Sequence, residues 1–196
     1  MNASDTREDL CIRFVNTKAW RLRQPGEERL GSPGVLLGWL AANDLADPVR
    51  EEDGSSAAEA LHVTAIRLRE SIYEIFYARI QDREAASDDL RFFTEFLARA
   101  GAGMRLEPGL AGLHWRQGPG PADPTGLLWP VALSAADLMT GPRAARVRQC
   151  QDDRGCGWLF VDESRAQNRR WCSMGDCGNR AKAHRHYDRI KAQRKG

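Results

Sequence analysis

Four of the five cysteines lie in the last quarter of the chain, at Cys150, Cys156, Cys172 and Cys177. Their spacing, C-x5-C-x15-C-x4-C, gives two pairs of thiols separated by fifteen residues, and a tetrahedral zinc site needs four such soft ligands. The sequence begins without the basic and apolar regions of an export signal, so we expect reduced thiols. We therefore predict one zinc ion held by four cysteines, and it should be structural because no coordination position is left for water.

Two other arrangements of these residues stay open from the sequence alone. In an oxidising compartment the cysteines would form disulfides. A shell of three cysteines and one histidine, His184 or His186, would leave one cysteine unused. Cys11 is remote from the others in the sequence, and we expect it to be a small core residue.

The segments between the cysteines predict the elements that position them. Gly157 to Asp162 and Arg169 to Cys172 resemble two short strands joined by a turn, and a helix should begin near Cys177. The exposed N–H groups and positive end of a helix favour a thiolate at that position. Together they predict a treble-clef-like finger that unfolds without zinc, because metal binding supplies on the order of 10 kcal/mol.

Charge is divided unevenly along the chain. From Arg143 to the end there are 14 Lys and Arg against six Asp and Glu, whereas the remainder has 15 against 21. Such asymmetry favours a module that binds nucleic acid on an acidic to neutral body. The alternative is a basic surface that is merely solvated.

The body preceding the finger has mainly helical patterns. Its apolar spacing and capping residues predict five helices, which begin near Leu10, at Pro33 after the cap Ser32, near Ala57, after the cap Ser87 and at the capping-box start Ser134. Leu90 of the fourth helix should face the core. The longest should end near Gln81, with a polar loop from Asp47 to Ser56 before it. We expect a mainly α body over residues 1–142, followed by a small α+β finger over residues 143–196.

One part of the body has the alternation of a strand. Met104 and Leu106, and then Leu113 and Trp115, alternate around a Pro-Gly turn and predict a hairpin. The stretch after it, RQGPGPADPTG, should be a loop. The body's histidines, His62 and His114, have no nucleophile or acid at motif spacing. The sequence also has no membrane-span-length apolar window, and we expect a cytoplasmic protein without catalytic residues.

The stretch from Cys150 to Arg189 resembles the CGNR zinc finger, through the segments CGWLFVDES, RRWCSM and CGNRAK. Upstream, LCIRFVNT, LLGWL and LSAADLMTG resemble the ABATE domain that precedes this finger. The resemblance covers nearly the whole chain. It implies a bacterial two-domain transcription regulator that responds to stress or to a ligand.

Candidate DNA-binding residues lie in two groups. The helix after Cys177 should carry Arg180, Lys182, Arg185, Arg189 and Lys191. The preceding strands and turn add Arg165, Arg169 and Arg170. Placed outward, these side chains would neutralise phosphates, and arginine can also bind guanine edges.

The same helix has an apolar stripe formed by Ala183, Tyr187 and Ile190, which we expect to pack on Trp158 and Phe160. The aromatic residues of the finger could instead form a stacking platform for single strands, but we favour a core role because little else there is apolar. Asn179 should brace the start of the helix, and Arg180 could brace the finger or contact DNA.

The body offers hypotheses about regulation. A mixture of aromatic and polar residues, Asn16, Trp20, Trp39 and Trp129, predicts either an effector pocket or ordinary packing, and we favour packing. The body could also form a homodimer. The main hypothesis is a zinc-dependent regulator that binds double-stranded DNA; the alternative is a zinc-stabilised module that binds RNA or a protein partner without recognising a DNA sequence.

Overall fold

A computed structural model of the chain describes residues 9–46, 55–109, 112–117 and 124–193. Most of these residues are helical, and the strands form small antiparallel pairs, which confirms the predicted mainly α body with a small α+β finger. The treble-clef-like arrangement of the finger stays a prediction. Among the described residues, no helix combines the length and apolar character needed to cross a membrane. Residues 47–54 of the predicted polar loop and residues 118–123 of the second predicted loop lie outside this description.

The helices and strands follow the chain in a simple order. The α-helices are α1 (Leu10–Val15), α2 (Pro33–Ala42), α3 (Ser56–Ile80), α4 (Ser87–Gly101), α5 (Trp129–Thr140) and α6 (Asn179–Gln193). The strands are β1 (Lys18–Ala19), β2 (Glu27–Glu28), β3 (Met104–Gly109), β4 (Gly112–Gln117), β5 (Val147–Gln149) and β6 (Leu159–Val161). They pair as β1 with β2, β3 with β4, and β5 with β6.

The central element is α3, the long helix that the spacing of apolar residues predicts. Leu61, Leu68, Ile72 and Phe76 are all almost fully buried, because residues three or four apart share one helical face. That face packs against α1, α2, α4 and α5. The resulting core of the body also includes Leu159 from β6.

Of the predicted N-terminal caps of α2 and α4, the first is confirmed and the second is not. Ser32 Oγ accepts a hydrogen bond from Val35 N at 3.3 Å, as predicted for α2. Ser87, however, is the first helical residue of α4, and the capping position belongs to Ala86. Leu90, predicted to face the core from α4, is 45% exposed. Ser87 and Leu90 were therefore assigned wrongly, because the local pattern does not fix the rotation of the helix to within one residue.

Ser134 is also placed differently from the prediction. It lies in the middle of α5, which begins at Trp129, and it does not start a helix. Its Oγ accepts a hydrogen bond from the N–H of Cys11 at 3.2 Å. The N-cap residue of α1 makes no side-chain capping bond, so a serine from another helix satisfies one of the free N–H groups at the start of α1.

The β3–β4 hairpin is confirmed, with Leu106 paired to Trp115 across it. Leu106, Leu113 and Trp115 remain 47–71% exposed, since the hairpin packs on the body mainly at its base. There the rings of Trp115 and Trp129 lie 4.9 Å apart. The turn residues 110 and 111 and the side chain of His114 lie outside the described part.

The finger begins with a strand pair that differs from the expected one. The segment around β6 forms a strand as predicted, but its partner is Val147–Gln149 and not Arg169 to Cys172. Asp162 explains the difference, because its carboxylate accepts hydrogen bonds from Ser164 N and Oγ and from Arg169 N. These bonds close residues 163–168 into a turn that carries the chain away from β6.

Candidate metal centre

The sulfur atoms of the four clustered cysteines lie within 4.8 Å of one another. The Sγ atoms of Cys156 and Cys172 are 3.8 Å apart, and those of Cys172 and Cys177 are 3.6 Å apart. Four sulfurs around one zinc at the usual Zn–S length would be separated by about 3.8 Å. The donor set and its spacing therefore fit a single tetrahedral zinc ion.

The two alternatives to this site are not supported. All four thiols are free, and the separations of 3.8 and 3.6 Å from Cys172 Sγ to the sulfurs of Cys156 and Cys177 are much longer than a disulfide bond of about 2 Å. His184 lies beside a carboxylate, with Nδ1 at 3.5 Å from Asp153 Oδ2, and is not part of the cluster. The side chain of His186 lies outside the described part of the chain. Cys11 is fully buried in the core of the body, and burial raises its pKa to about 12.

The first cysteine pair depends on two glycines. Cys150 follows β5 and its N–H donates to Trp158 O at 2.7 Å. Cys156 lies between Gly155 and Gly157, whose φ values of +92° and +67° are in the left-handed region. Added Cβ atoms would also approach neighbouring atoms at 2.8 and 2.9 Å. Both glycines are needed, because larger residues would be strained and crowded there.

The second pair depends on the return of the chain and on a tight turn. Gln151 N donates to Arg170 O at 2.9 Å, which brings the segment before Cys172 beside Cys150. Cys177 lies within a five-residue π-helical turn, Met174–Gly178, which α6 follows directly. The prediction of a helix beginning near Cys177 is confirmed.

The close approach of four thiols shifts their protonation before a metal binds. Hydrogen bonds from Cys156 and Cys172 hold the pKa of Cys150 far below its usual range. The pKa of Cys172 is raised because its hydrogen bonds favour its protonated form. Burial is the main cause that raises the pKa of Cys177. Zinc requires all four thiolates, so its binding releases protons and weakens as the pH falls.

Arg180 lies among acidic and sulfur groups of the finger. Its Nε and Nη2 donate to Asp152 Oδ2 at 3.2 and 3.0 Å, and Nη2 also donates to Cys177 Sγ at 2.8 Å. It forms a further ion pair with Asp176. Although burial lowers its pKa, the bond to Asp152 and these negative groups raise it overall. The contacts agree with a bracing role for Arg180.

Asp152 was missed by the sequence analysis. Its side chain is fully buried, and it accepts from both Arg180 and the N–H of Arg154. An acid two residues after a predicted zinc ligand is a weak signal, because acids are common on any surface. Its role depends on Arg180, which lies 28 residues later in the chain.

The other candidate DNA-binding residues divide into two kinds. Arg169 points inward, where its Nε donates to Trp171 O at 2.7 Å and its Nη2 donates to Cys172 O. Arg170 is exposed, but its Nε donates to Gln151 Oε1 at 2.8 Å. Arg165, Lys182 and Lys191 are exposed. The side chains of Arg185 and Arg189 lie outside the described part of the chain.

The start of α6 agrees with expectation, but its apolar stripe does not. Asn179 Nδ2 donates to Gly175 O at 3.0 Å and so braces the turn before the helix. Ala183 is exposed, and Tyr187 and Ile190 are 65% and 37% exposed, so the predicted packing on Trp158 and Phe160 is wrong.

The reason is that both aromatic residues already have other neighbours. The indole N–H of Trp158 donates to Lys18 O at 3.1 Å, which ties this ring to the N-terminal region. Phe160 is buried beside the cysteines, and the guanidinium of Arg169 lies 4.9 Å from the centre of its ring.

The four residues proposed for an effector pocket lie in different surroundings. Asn16 pairs with the backbone of Leu159, and the ring of Trp39 packs on Phe14 at 5.2 Å. Trp129 contacts the hairpin, whereas Trp20 lies beside the cysteines. A groove of about 600 Å³ at the C-terminal end of α3 is lined by none of them. The effector site stays a hypothesis.

The predicted boundary between residues 142 and 143 also stays a prediction. Both Val147 of β5 and Leu159 of β6 are buried in the core of the body. Tyr73 of α3 accepts a hydrogen bond from Gln149 Nε2 at 2.6 Å. The first strands of the finger are thus packed directly against the helices.

Comparison with known proteins agrees with this geometry. Residues 8–142 match the ABATE family model, described as "Putative stress-induced transcription regulator". Residues 146–190 match the CGNR zinc finger model. No curated protein matches the sequence. Both families are non-enzymatic in kind, and the second, with the cysteine cluster, identifies the cofactor as one zinc ion. The chain belongs to the ABATE family and carries a C-terminal CGNR zinc finger.

Proposed function

We propose that the protein is a zinc-dependent transcription regulator whose finger binds double-stranded DNA. The observation that carries this proposal is the exposure of Arg165, Lys182 and Lys191 on a finger whose shape is fixed by four cysteines. Other basic residues, notably Arg169 and Arg180, are used to hold that shape. On a surface that neutralises phosphates, we expect some cations to hold the fold and others to remain exposed for the phosphates.

The helix α6 is the proposed reading element. Zinc fixes the turn from which it starts, and helical spacing places positions 182, 185 and 189 on one face. A helix of this kind fits the major groove, where lysine and arginine contact phosphates and arginine can bind guanine bidentately. Arg165, on the turn before the second cysteine pair, would contact the sugar-phosphate backbone of the DNA beside the groove.

The alternative is an RNA-binding or protein-binding module. Tyr187, 65% exposed on α6, favours it because an exposed ring can stack on an unpaired base. Fluorescence anisotropy of the zinc-loaded full chain, with duplex DNA and structured RNA at matched salt, separates the two functions. We expect tighter binding to the duplex and a steep loss of affinity as salt rises. Preference for RNA would contradict the proposal.

Ligand sensing by the body is a further part of the proposal. The family description names a stress-induced regulator, and a bound ligand is one way in which a body of this kind could receive such a signal. A ligand that binds only the folded chain raises its melting temperature. We therefore expect at least one metabolite in a thermal-shift screen to stabilise the zinc-loaded protein and to change its affinity for duplex DNA. A ligand that stabilises the protein but leaves DNA affinity unchanged would contradict a regulatory role.

Homodimer formation would match the symmetry of many DNA sites. The exposed Leu106, Leu113 and Trp115 of the hairpin are the apolar surface that favours it. Light scattering coupled to size exclusion should give the mass of two chains, and Leu113→Lys should reduce it to one. A single-chain mass for the unaltered protein would contradict this part of the proposal.

A further inference from the structure

The N-terminal region contributes a segment that runs antiparallel to residues 154–159, which include the zinc ligand Cys156. We name residues 16–23 the docking segment. Arg21 N donates to Cys156 O at 3.1 Å and Leu22 N donates to Gly155 O at 3.2 Å. The side chain of Arg23 continues the series, because its Nε donates to Arg154 O at 2.5 Å.

The same pairing extends to the other end of the docking segment. Asn16 Nδ2 donates to Leu159 O at 2.9 Å, while Asn16 Oδ1 accepts from Leu159 N at 3.0 Å. An asparagine side chain thus makes both bonds that a paired strand would make. Between these ends, the Trp158 indole donates to Lys18 O. The docking segment therefore follows residues 154–159 on both sides of Cys156.

Trp20, in the middle of the docking segment, lies beside the sulfur cluster. Its φ of +53° is unusual for a bulky residue. Together with Cys156, Cys172 and Cys177 it lines a cavity of about 60 Å³. The guanidinium groups of Arg23 and Arg180 lie 4.2 and 5.2 Å from the centre of the indole ring. Trp20 thus lines the same cavity as three of the four cysteines and also contacts the arginine that donates to Cys177 Sγ.

The docking segment is anchored to α3 by a partly buried ion pair. The side chain of Arg21 is only 5% exposed, and its Nη1 donates to Glu70 Oε2 at 2.7 Å. Its guanidinium also lies 3.8 Å from the centre of the Tyr73 ring. Because Glu70 and Tyr73 belong to the central helix, the position of the docking segment follows the fold of the body.

From these contacts we infer that the docking segment is a structural part of the zinc centre, with Trp20 and Arg21 as positioning residues for the cysteines. The hydrogen bonds from Arg21 and Leu22 fix the backbone that presents Cys156. Residues around a metal's ligands commonly change its affinity by about 10- to 100-fold. Zinc is therefore retained by the body and the finger together.

The coupling must act in both directions, because linkage between two binding or folding events is reciprocal. Zinc that is held more tightly by an intact body also stabilises that body. A ligand or stress that loosens the docking segment would speed zinc release. This inference concerns zinc retention alone, so it stands or falls separately from the proposed binding to DNA.

The rate at which zinc transfers to a chromogenic chelator, measured on the full chain, tests the inference. We expect Trp20→Ala to release zinc about 10-fold faster than the unaltered protein. Trp39→Ala is the matched control, since Trp39 is also a half-buried tryptophan of the N-terminal region but packs on Phe14. Equal release rates for the two variants would overturn the inference.

A second pair of variants keeps the test valid if Trp20→Ala fails to fold. Glu70→Gln removes the charge that anchors Arg21. Glu74→Gln is the control: Glu74 also belongs to α3, but its carboxylate is exposed and lies 3.5 Å from Arg83, after the end of the helix. We expect several-fold faster zinc release from Glu70→Gln and no change from Glu74→Gln. Unchanged release from Glu70→Gln, with the helical signal intact, would overturn the role of Arg21.

Discussion

The helical body and the zinc finger are stabilised by different interactions. The body buries a continuous set of large apolar side chains around α3, whereas the buried apolar cluster of the finger is Cys150, Cys156, Phe160 and Cys177. Three of those four residues are zinc ligands. We therefore expect the body to fold by burying apolar surface and the finger to need the metal, which offsets the entropy of ordering its chain.

The polar contacts differ in the same way. In the body, Arg69 is fully buried beside the large core, and its Nη1 and Nη2 donate to the carboxylate of Glu28 at 2.6 and 2.5 Å. In the finger, Asp152 and Asp162 instead close the loops that carry the cysteines. The comparison teaches that the two buried carboxylates of the finger, Asp152 and Asp162, serve the geometry of the metal site. It also explains why the finger takes additional contacts from the docking segment.

Removal of one zinc ligand should have the largest effect. Cys156→Ser should abolish stable zinc binding and unfold the finger, because the site supplies on the order of 10 kcal/mol. Zinc content per chain and hydrogen exchange of α6 measure this. Cys11→Ala is the control, since Cys11 is buried in the body, and its zinc content should stay at one. One zinc per chain in Cys156→Ser would contradict the assignment.

A cavity in the body should have the next largest effect. It should destabilise the body and leave zinc binding by the finger nearly unchanged. Phe96 on α4 is fully buried, and Phe96→Ala should lower the free energy of unfolding of the body by about 3–5 kcal/mol. Urea unfolding followed by the helical circular dichroism signal measures the loss. The rate of zinc release in the absence of urea should change little. Loss of the zinc from Phe96→Ala in the absence of urea would show that the two regions have a common source of stability.

On acidification, the finger should lose its zinc at a higher pH than the one at which the body unfolds. Thiols have ordinary pKa values several units above those of carboxyl groups, so protons displace zinc first as the pH falls. In the body, hydrogen bonds and charges from arginines hold the pKa values of Glu28 and Glu70 below 4.5, despite the opposing effect of burial. Their contribution to stability is complete above that value and is lost as the pH falls through the lowered pKa.

We therefore expect zinc release at a pH where the helical signal is still intact, followed by unfolding of the body below the ordinary range of glutamate. Parallel titrations of zinc release and circular dichroism measure the order. Glu28→Gln removes one of the two carboxyl groups whose pKa is lowered. It should make the unfolding of the body depend less steeply on pH. Loss of the helical signal before zinc would contradict the proposed order.

Single exposed cations should have the smallest effect. If Arg165 contacts a phosphate, Arg165→Ala should reduce the slope of log affinity for duplex DNA against log salt by about 1. Arg91→Ala is the control, because Arg91 is an exposed arginine of the body paired with Asp88 at 2.9 Å. Equal slopes for the two variants would remove Arg165 from the proposed DNA surface.

The parts of the fold that were predictable depend on local patterns. The spacing of Leu61, Leu68 and Ile72 defines α3, since a helix repeats its face every three or four residues. The cysteines were predictable because zinc restricts its ligands to a few residue types in short-range pairs. Helix rotation was less predictable: Leu90 fits the apolar pattern but lies near the start of α4, where it remains exposed.

The parts that could not be predicted depend on contacts between remote residues. Asn16 and Leu159 are 143 positions apart, and nothing in either local sequence indicates their pairing. Asn16 and Trp20 were chosen for their mixed chemistry, and the structure shows both contacting the finger. The wrong partner for β6 has the same cause, because strand propensity does not specify which segment will pair.

The central claim is that zinc orders a finger that recognises a defined duplex sequence. A selection from a random pool of duplexes, run in parallel with the zinc-loaded full chain and with Cys177→Ser, tests it most directly. We predict that the zinc-loaded chain enriches one sequence motif and that Cys177→Ser enriches none. Unselected sequences from both proteins, or the same motif from both, would contradict the claim.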